Sequence, residues 1–338
     1  FANHECVTVN SPHLWKNLPS MLLNKNGPLV IDWFYVFTHL PWAIRFLRNC
    51  TSARAEHIAK SLSAFSCQAG LAYEEIFDDV DVLNNIVHKE PIFLYESKKL
   101  FEQNQYAFNL RKKYDVQFVV INKEEIAKIE PGLEPIYYNG VVLKGESFTN
   151  SPLEITQKIF NNFIKNDGHF IKIKIKSIVQ KDNSLFLKYE KKEQQFDKIV
   201  VAAGVWSNML ARTIGDNFPL DTERGYHIVF ENNNNLLTHP VGWAKTGFYM
   251  TPMKDGIRVA GTVEIAGLKK PMNKKILSMI EKTARRILPQ LGKVKSEWMG
   301  FRPTLPDSLP VIGESQKCKN VYYAFGHQHL GLSLAAIT

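Results

Sequence analysis

Hydrophobic and polar positions alternate strictly from Phe170 to Lys176 (Phe-Ile-Lys-Ile-Lys-Ile-Lys), which predicts a strand with one buried and one wetted face. A second strand, Leu185 to Tyr189, follows the turn Lys181-Asp182-Asn183-Ser184. A third, Lys198 to Ala203, is apolar almost throughout and reads as a buried central strand. Further strands are predicted at 225–231, 248–253 and 257–263, with a polar hairpin tip at Asn232 to Asn235 and a helix from about Asn273 to Leu288. Ser151-Pro152-Leu153-Glu154 is a helix start: Ser151 caps, Pro152 fits the first turn and Glu154 completes a capping box. That helix runs to Asn166 and ends at Asp167-Gly168. Residues 1–30 are irregular. Residues 41–115 read as mainly helical, with Pro41 opening a helix, and 91–148 mix short strands with turns at Pro131-Gly132 and Asn139-Gly140.

Strand-rich blocks interrupted by helices predict an α/β (α+β) chain of two interleaved domains. The 338 residues suffice for both. The stretch Pro28 to Leu47 is rich in aromatics but broken by Asp32, His39, Pro41 and Arg45, so it is too polar to span a membrane. It reads as a core or domain-interface segment rather than a membrane-surface patch. The opening on Phe1 and the stop at Thr338 inside an apolar run make the chain read as a fragment, with no signal-peptide pattern.

The formal net charge is +9, and much of the excess lies in the strands between Lys165 and Lys198. With no recognition motif beside it, that charge reads as a solvated face, not a nucleic-acid surface. Cys6, Cys50, Cys67 and Cys318 form no close pair, so neither a zinc site nor a disulfide framework is expected.

Three segments carry candidate chemistry. In Ile199 to Ser207 a buried strand ends in a small-residue turn, Ala202-Ala203-Gly204, where a ligand can approach the backbone. In Trp298 to Asp307, Arg302 stands among aromatic and apolar neighbours and flanking prolines. A guanidinium buried there needs an anion, and its fork suits a carboxylate. In Val321 to Leu334 an apolar strand enters a glycine-bounded loop and a helix N-terminus, an anion-favouring end. His327 and His329 lack a third ligand, so no metal is expected.

These segments, in this order, resemble the FAD-dependent D-amino-acid oxidase superfamily, which includes glycine oxidase, sarcosine oxidase and D-amino-acid dehydrogenase. The resemblance rests on RPTLPDSLPVIG, NVYYAFGHQHLGLSLA, TERGYH at 222–227 and MTPMKDGIRVAGTVE at 250–264. NGPLVIDWFY and PWAIRFLR look like the D-amino-acid dehydrogenase branch. The resemblance covers nearly the whole chain. It departs from the family in lacking any G-x-G-x-x-G, in His4-Glu5, and in Gln328 where a glycine is usual.

The resemblance implies a Rossmann-like FAD-binding domain of the glutathione-reductase type, lacking its first βαβ unit, made of 1–25, 148–216 and 301–338. An antiparallel-sheet substrate domain of 26–147 and 217–300 would be interleaved with it. FAD would be held by Asn3, Ile175, Ala203, Gly204, Trp206, Gly300 and the loop Gly326, His327, Gln328, His329, Leu330, Gly331, Leu332 and Ser333. Arg302 would grip a substrate carboxylate and Tyr249 would touch the substrate, with Tyr226 and His227 as further substrate contacts. The implied reaction is hydride transfer from the Cα of a D-amino acid to flavin N5, giving a 2-oxo acid and ammonia. Glycine, sarcosine or hydroxyproline oxidation and a non-catalytic flavoprotein-like subunit are the alternatives. The electron acceptor would be a quinone pool or oxygen, and the location cytoplasmic, with peripheral contact on the inner face of the plasma membrane.

Overall fold

The computed structural model describes residues 6–7, 10–15, 29–182, 184–231 and 235–338. Its largest sheet has nine strands: β1 (Leu29–Ile31), β3 (Ile92–Tyr95), β4 (Phe118–Ile121), β5 (Asn139–Leu143), β11 (Asp221–Phe230), β12 (Val241–Trp243), β13 (Phe248–Met253), β14 (Gly256–Ile265) and β15 (Val294–Thr304). The order is β15-β11-β14-β13-β12-β3-β5-β4, with β1 parallel to β14. β2 (Ile86–Val87) and β6 (Phe148–Thr149) form a separate ribbon.

Period-two alternation gives this sheet two unlike faces. Tyr226, Ile228 and Phe230 of β11 bury one face together with Ile257 and Val259 of β14, Phe248 and Met250 of β13, and Val241 and Trp243 of β12. The helix Lys274–Ile287 closes over it through Ile276, Leu277, Ile280, Ala284 and Ile287, a stripe at helical spacing. Asn273 caps that helix by accepting from the Lys275 N–H, and Arg285 and Arg286 complement its C-terminal dipole. Each large apolar side chain buried here contributes roughly 1.5–3 kcal/mol. The alternate residues, among them His227, Tyr249, Trp298 and Arg302, therefore share the opposite face.

A smaller sheet holds β10 (Ile199–Val201), β17 (Val321–Phe325) and β16 (Val311–Glu314), with β10 and β17 parallel. β7 (Ser177–Lys181), β8 (Ser184–Tyr189) and β9 (Lys192–Phe196) form an antiparallel sheet packed on it, sharing a core of Ile178, Leu185, Val201, Val321 and Phe325.

Several sequence expectations need correction. β10 is not central among the described strands: it is the sheet's edge, and Val200 is 64% exposed. The alternating segment 170–176 forms no strand: its last residue, Lys176, donates its N–H to the Lys188 carbonyl of β8 at 2.8 Å, but the ladder does not continue back along it, and Phe170 and Ile171 lie exposed. Part of the expected hairpin tip lies outside the described residues, and its flanking strands β11 and β12 do not pair with each other. The helix Pro152–Lys165 is capped by the Ser151 hydroxyl, but only half the capping box forms. Glu154 turns instead to the Asn85 amide and Lys254, and the Ser151 N–H donates to the Thr149 hydroxyl.

The aromatic stretch expected in the core or at a domain interface forms two short helices, Trp33–Thr38 and Leu40–Arg48, with no buried residue in either. Phe34 and Phe37 are 79% and 70% exposed. Tyr35 is the residue tied inward, donating to the Asp221 carboxylate at 2.6 Å. Among the described residues no helix is long and apolar enough to cross a membrane.

Candidate active site

Register sets the site's floor. Gly225 of β11 faces Gly300 of β15, with Glu223 opposite Arg302 and His227 opposite Trp298. These six residues lie on the sheet face away from the core. A Cβ on Gly225 would stand 2.6 Å from the Arg302 Nη2 and 2.7 Å from its Cζ, so the guanidinium lies flat across the Gly225 backbone. A Cβ on Gly300 would overlap the Trp298 indole at 1.9 Å. The glycine pair thus removes two side chains from the floor, letting Arg302 fold in from one side and Trp298 from the other. Trp298 is held in turn by stacking on His227, with ring centres 4.9 Å apart.

No hydrogen bond or ion pair within 4.0 Å holds the Arg302 guanidinium among the described residues. Burial pulls its pKa below the ordinary arginine value, opposed by the charge of Glu223. Glu223, 7% exposed, is pushed up chiefly by burial, against the pull of Arg302. A half-buried cation facing a carboxyl group that burial holds back from ionising retains capacity for an external anion.

The parallel strands β10 and β17 end side by side and feed the two loops that reach this floor. After β10, Gly204 adopts φ +55° in a 3₁₀ turn, and Trp206 meets Phe301 edge to face at 6.2 Å. After β17, Gly326 turns at φ +87°, where a Cβ would strike Leu305. The Gln328 N–H donates to the Pro303 carbonyl at 3.1 Å, and the Leu330 N–H to the His327 carbonyl at 2.9 Å. This stitches the loop to the residue after Arg302. His329 follows on the same loop, exposed on its solvent side and crowded by protein on the other. Burial pushes its pKa down to about 4, with the nearby Arg302 charge adding to the effect.

The sequence-derived residues divide accordingly. Arg302, Gly300 and the loop residues Gly326, Gln328 and His329 come together at one recess, whereas Trp206 packs on Phe301, whose ring lies beside Arg224 on the face opposite Arg302. His227 and Tyr249 share the recess floor, two strands apart; Tyr249 is 38% exposed and edge-on to Phe93 at 5.2 Å. Tyr226 does not belong: it points to the opposite face, and its hydroxyl donates to Glu264. The cause is the pleat itself, which puts neighbours 226 and 227 on opposite faces. Asn3 lies outside the described residues, and Ile175 sits half-buried just ahead of β7. The helix after the loop is a single turn, Gly331–Leu334, whose Leu332 carbonyl accepts from the Tyr73 hydroxyl. His327 points to the Thr338 hydroxyl at 3.0 Å. Sequence reading missed Glu223, Gly225 and Trp298; a strand register for TERGYH against WMGFRP was the signal that would have found them.

A separate recess beside β3, β4 and β5 is lined by Glu90, Lys144 and His239, but its charges are already paired, Lys144 with Glu90 and His239 with Glu130. Among the described residues no group of three or more His, Cys, Asp or Glu could hold a metal ion.

Loops at the carboxyl ends of a parallel strand pair, opening on a half-buried cation, form a crevice of the kind that holds a ligand. Residues 49–338 match the DAO family, described as FAD dependent oxidoreductase, and the chain belongs to that family of FAD-dependent oxidoreductases. It is 31% identical to a D-amino-acid oxidase of Bradyrhizobium diazoefficiens over 100% of this chain and 82% of that protein. It is 25% identical to a D-amino acid dehydrogenase of Vibrio vulnificus over 93% and 77% respectively. Its fold matches glycine oxidase from Bacillus cereus with a TM-score of 0.70 at 20% identity, over 84% of this chain and 77% of that one.

The recess suits FAD. The Gln328 side-chain amide nitrogen, just beyond β17, is buried without a hydrogen-bond partner. Such an orphaned polar atom calls for a polar ligand, and Gly204 has open space where a Cβ would stand.

Proposed function

We propose that the protein oxidatively deaminates D-amino acids, and that Arg302 holds the substrate carboxylate. The observation that carries this reading is the Arg302 guanidinium, laid over Gly225 with no ion-pair partner and beside the loop 326–330. A bidentate guanidinium–carboxylate contact fixes two substrate atoms, and so the direction in which the Cα–H bond points.

FAD, when bound, supplies the hydride acceptor. The chain's own residues position and insulate. Ala203, Gly204, Trp206, Gln328 and His329 are the groups that would line it. Trp298, braced by His227, and Tyr249 wall the floor where the substrate side chain lies. His227 is pushed down to about 4, first by burial and then by the Arg258 charge, so it stands there as a neutral ring. In the reaction the Cα–H pair leaves as hydride, the amine loses a proton, and a C=N bond forms. Water then hydrolyses the imino acid to a 2-oxo acid and ammonia. The D preference follows the relatives named for D-amino acids.

The test is anaerobic mixing of the FAD-loaded, full-length protein with D-alanine, L-alanine, glycine and sarcosine. Flavin bleaching and 2-oxo acid release with D-alanine, and not with L-alanine, are expected. Absence of bleaching by D-alanine and by every other D-amino acid overturns the reading, and bleaching by sarcosine alone would move it to secondary amines.

A further inference from the structure

The sheet face that carries Arg302 carries a second cation. In register, Arg258 of β14 stands opposite Val229 of β11 and Thr251 of β13, one pleat beyond the row His227–Ala260–Tyr249. It therefore points to the same side as those residues. Its Nε is buried without a hydrogen-bond partner, and no ion pair within 4.0 Å holds it among the described residues. The acid whose charge reaches it is Asp255, outside ion-pair range. Its own charge reaches His227, its neighbour on the same sheet face.

Arg258 lies five residues along β14 from Val263, the partner of Gly225, over which the Arg302 guanidinium rests. A β-bulge takes up one of these residues, and along β11 the same positions, Gly225 and Val229, are four residues or about 13 Å apart at about 3.3 Å per residue. The Arg302 guanidinium already stands at the Gly225 end, so the Arg258 side chain alone narrows this to a gap suited to a small molecule with an anion at both ends. The floor between them is neutral: His227, Trp298, Ala260 and Tyr249. A half-buried guanidinium with an orphaned donor costs stability unless an anion completes it.

Resting on the deamination reading, we propose that Arg258 binds the distal carboxylate of the substrate and so directs the enzyme to acidic D-amino acids, D-glutamate or D-aspartate. Arg302 takes the α-carboxylate and Arg258 the one on the side chain.

The experiment compares D-glutamate with its neutral isostere D-glutamine on the FAD-loaded, full-length protein. A wild-type kcat/KM ratio of about tenfold or more in favour of D-glutamate is expected. Arg258→Met should collapse that ratio toward one, and Arg258→Lys should restore part of it. A wild-type ratio near one, or a ratio that Arg258→Met leaves unchanged, overturns the proposal. A second measurement needs no turnover: calorimetric binding of glutarate against butyrate. Glutarate should bind more tightly to the wild type, and Arg258→Met should abolish the difference; equal binding to the wild type overturns the proposal. If D-alanine and every other D-amino acid fail as substrates, the deamination reading falls, while the glutarate comparison still decides whether Arg258 is an anion site.

Discussion

Adding a single methyl group at Gly225 tests the floor geometry without replacing any charged residue. The Cβ of Gly225→Ala would stand 2.6–2.8 Å from three atoms of the Arg302 guanidinium. Ordinary contact begins at about 3.5 Å, so the head group must lift by roughly 1 Å. The obstructing atoms are the end of a flexible side chain, so Arg302 moves and the β11–β15 pairing stays. A misplacement of about 1 Å in a group that orients substrate costs on the order of 10²-fold in rate, or about 2.7 kcal/mol of transition-state stabilisation. The assay is kcat/KM for D-alanine on the FAD-loaded, full-length protein, with flavin absorbance and Tm recorded in parallel. The expected result is a loss of about two decades, with bound flavin retained and Tm shifted by no more than a few degrees. Combining Gly225→Ala with Arg302→Lys should be non-additive, since both changes act on one contact. Wild-type kcat/KM in Gly225→Ala would refute the argument. So would full additivity, because either result would mean that the guanidinium over Gly225 does not meet substrate.

The other predictions concern the two sheet faces and the loop. Tyr226→Phe removes a buried hydroxyl donated to Glu264 and should cost roughly 1.5–3 kcal/mol in denaturant unfolding. It should leave KM for D-alanine unchanged, because the side chain faces the core. Arg224 is fully buried and paired with Glu264 at 2.9 Å, so Glu264→Ala strands a buried cation and should destabilise by about 3–5 kcal/mol in the same assay. Gln328 holds φ +50°, and Gln328→Gly should relieve that strain by about 0.5–1 kcal/mol, read as a raised Tm. His227 has its pKa lowered from 6.5 to about 4, so the unfolded chain binds the proton that the fold refuses. Stability is therefore full above about pH 6.5 and declines as pH falls toward 4, by up to about 3 kcal/mol from this residue. A urea series between pH 7 and 4 checks the slope, and an imidazole NMR signal that titrates near 6.5 in the folded protein would contradict it.

Local pattern determined a good deal by itself. The alternation of 248–253 and 257–263 marked β13 and β14, the i/i+4 stripe from Ile276 to Ile287 marked the helix beneath them, and Ser151-Pro152 marked a helix start. Arg302 was legible as a buried fork because its prolines and aromatic neighbours are adjacent in sequence. Tertiary pairing decided the rest. The same alternation that failed at 170–176 succeeded in β14, since a strand exists only where a neighbour completes its hydrogen bonds. Tyr226 and His227 were indistinguishable as letters, and the pleat of β11 sent one to the core and one to the recess. Glu223 met Arg302, and Gly225 met Gly300, across 79 and 75 residues of chain. Register is a property of two strands together, and neither strand's own sequence carries it.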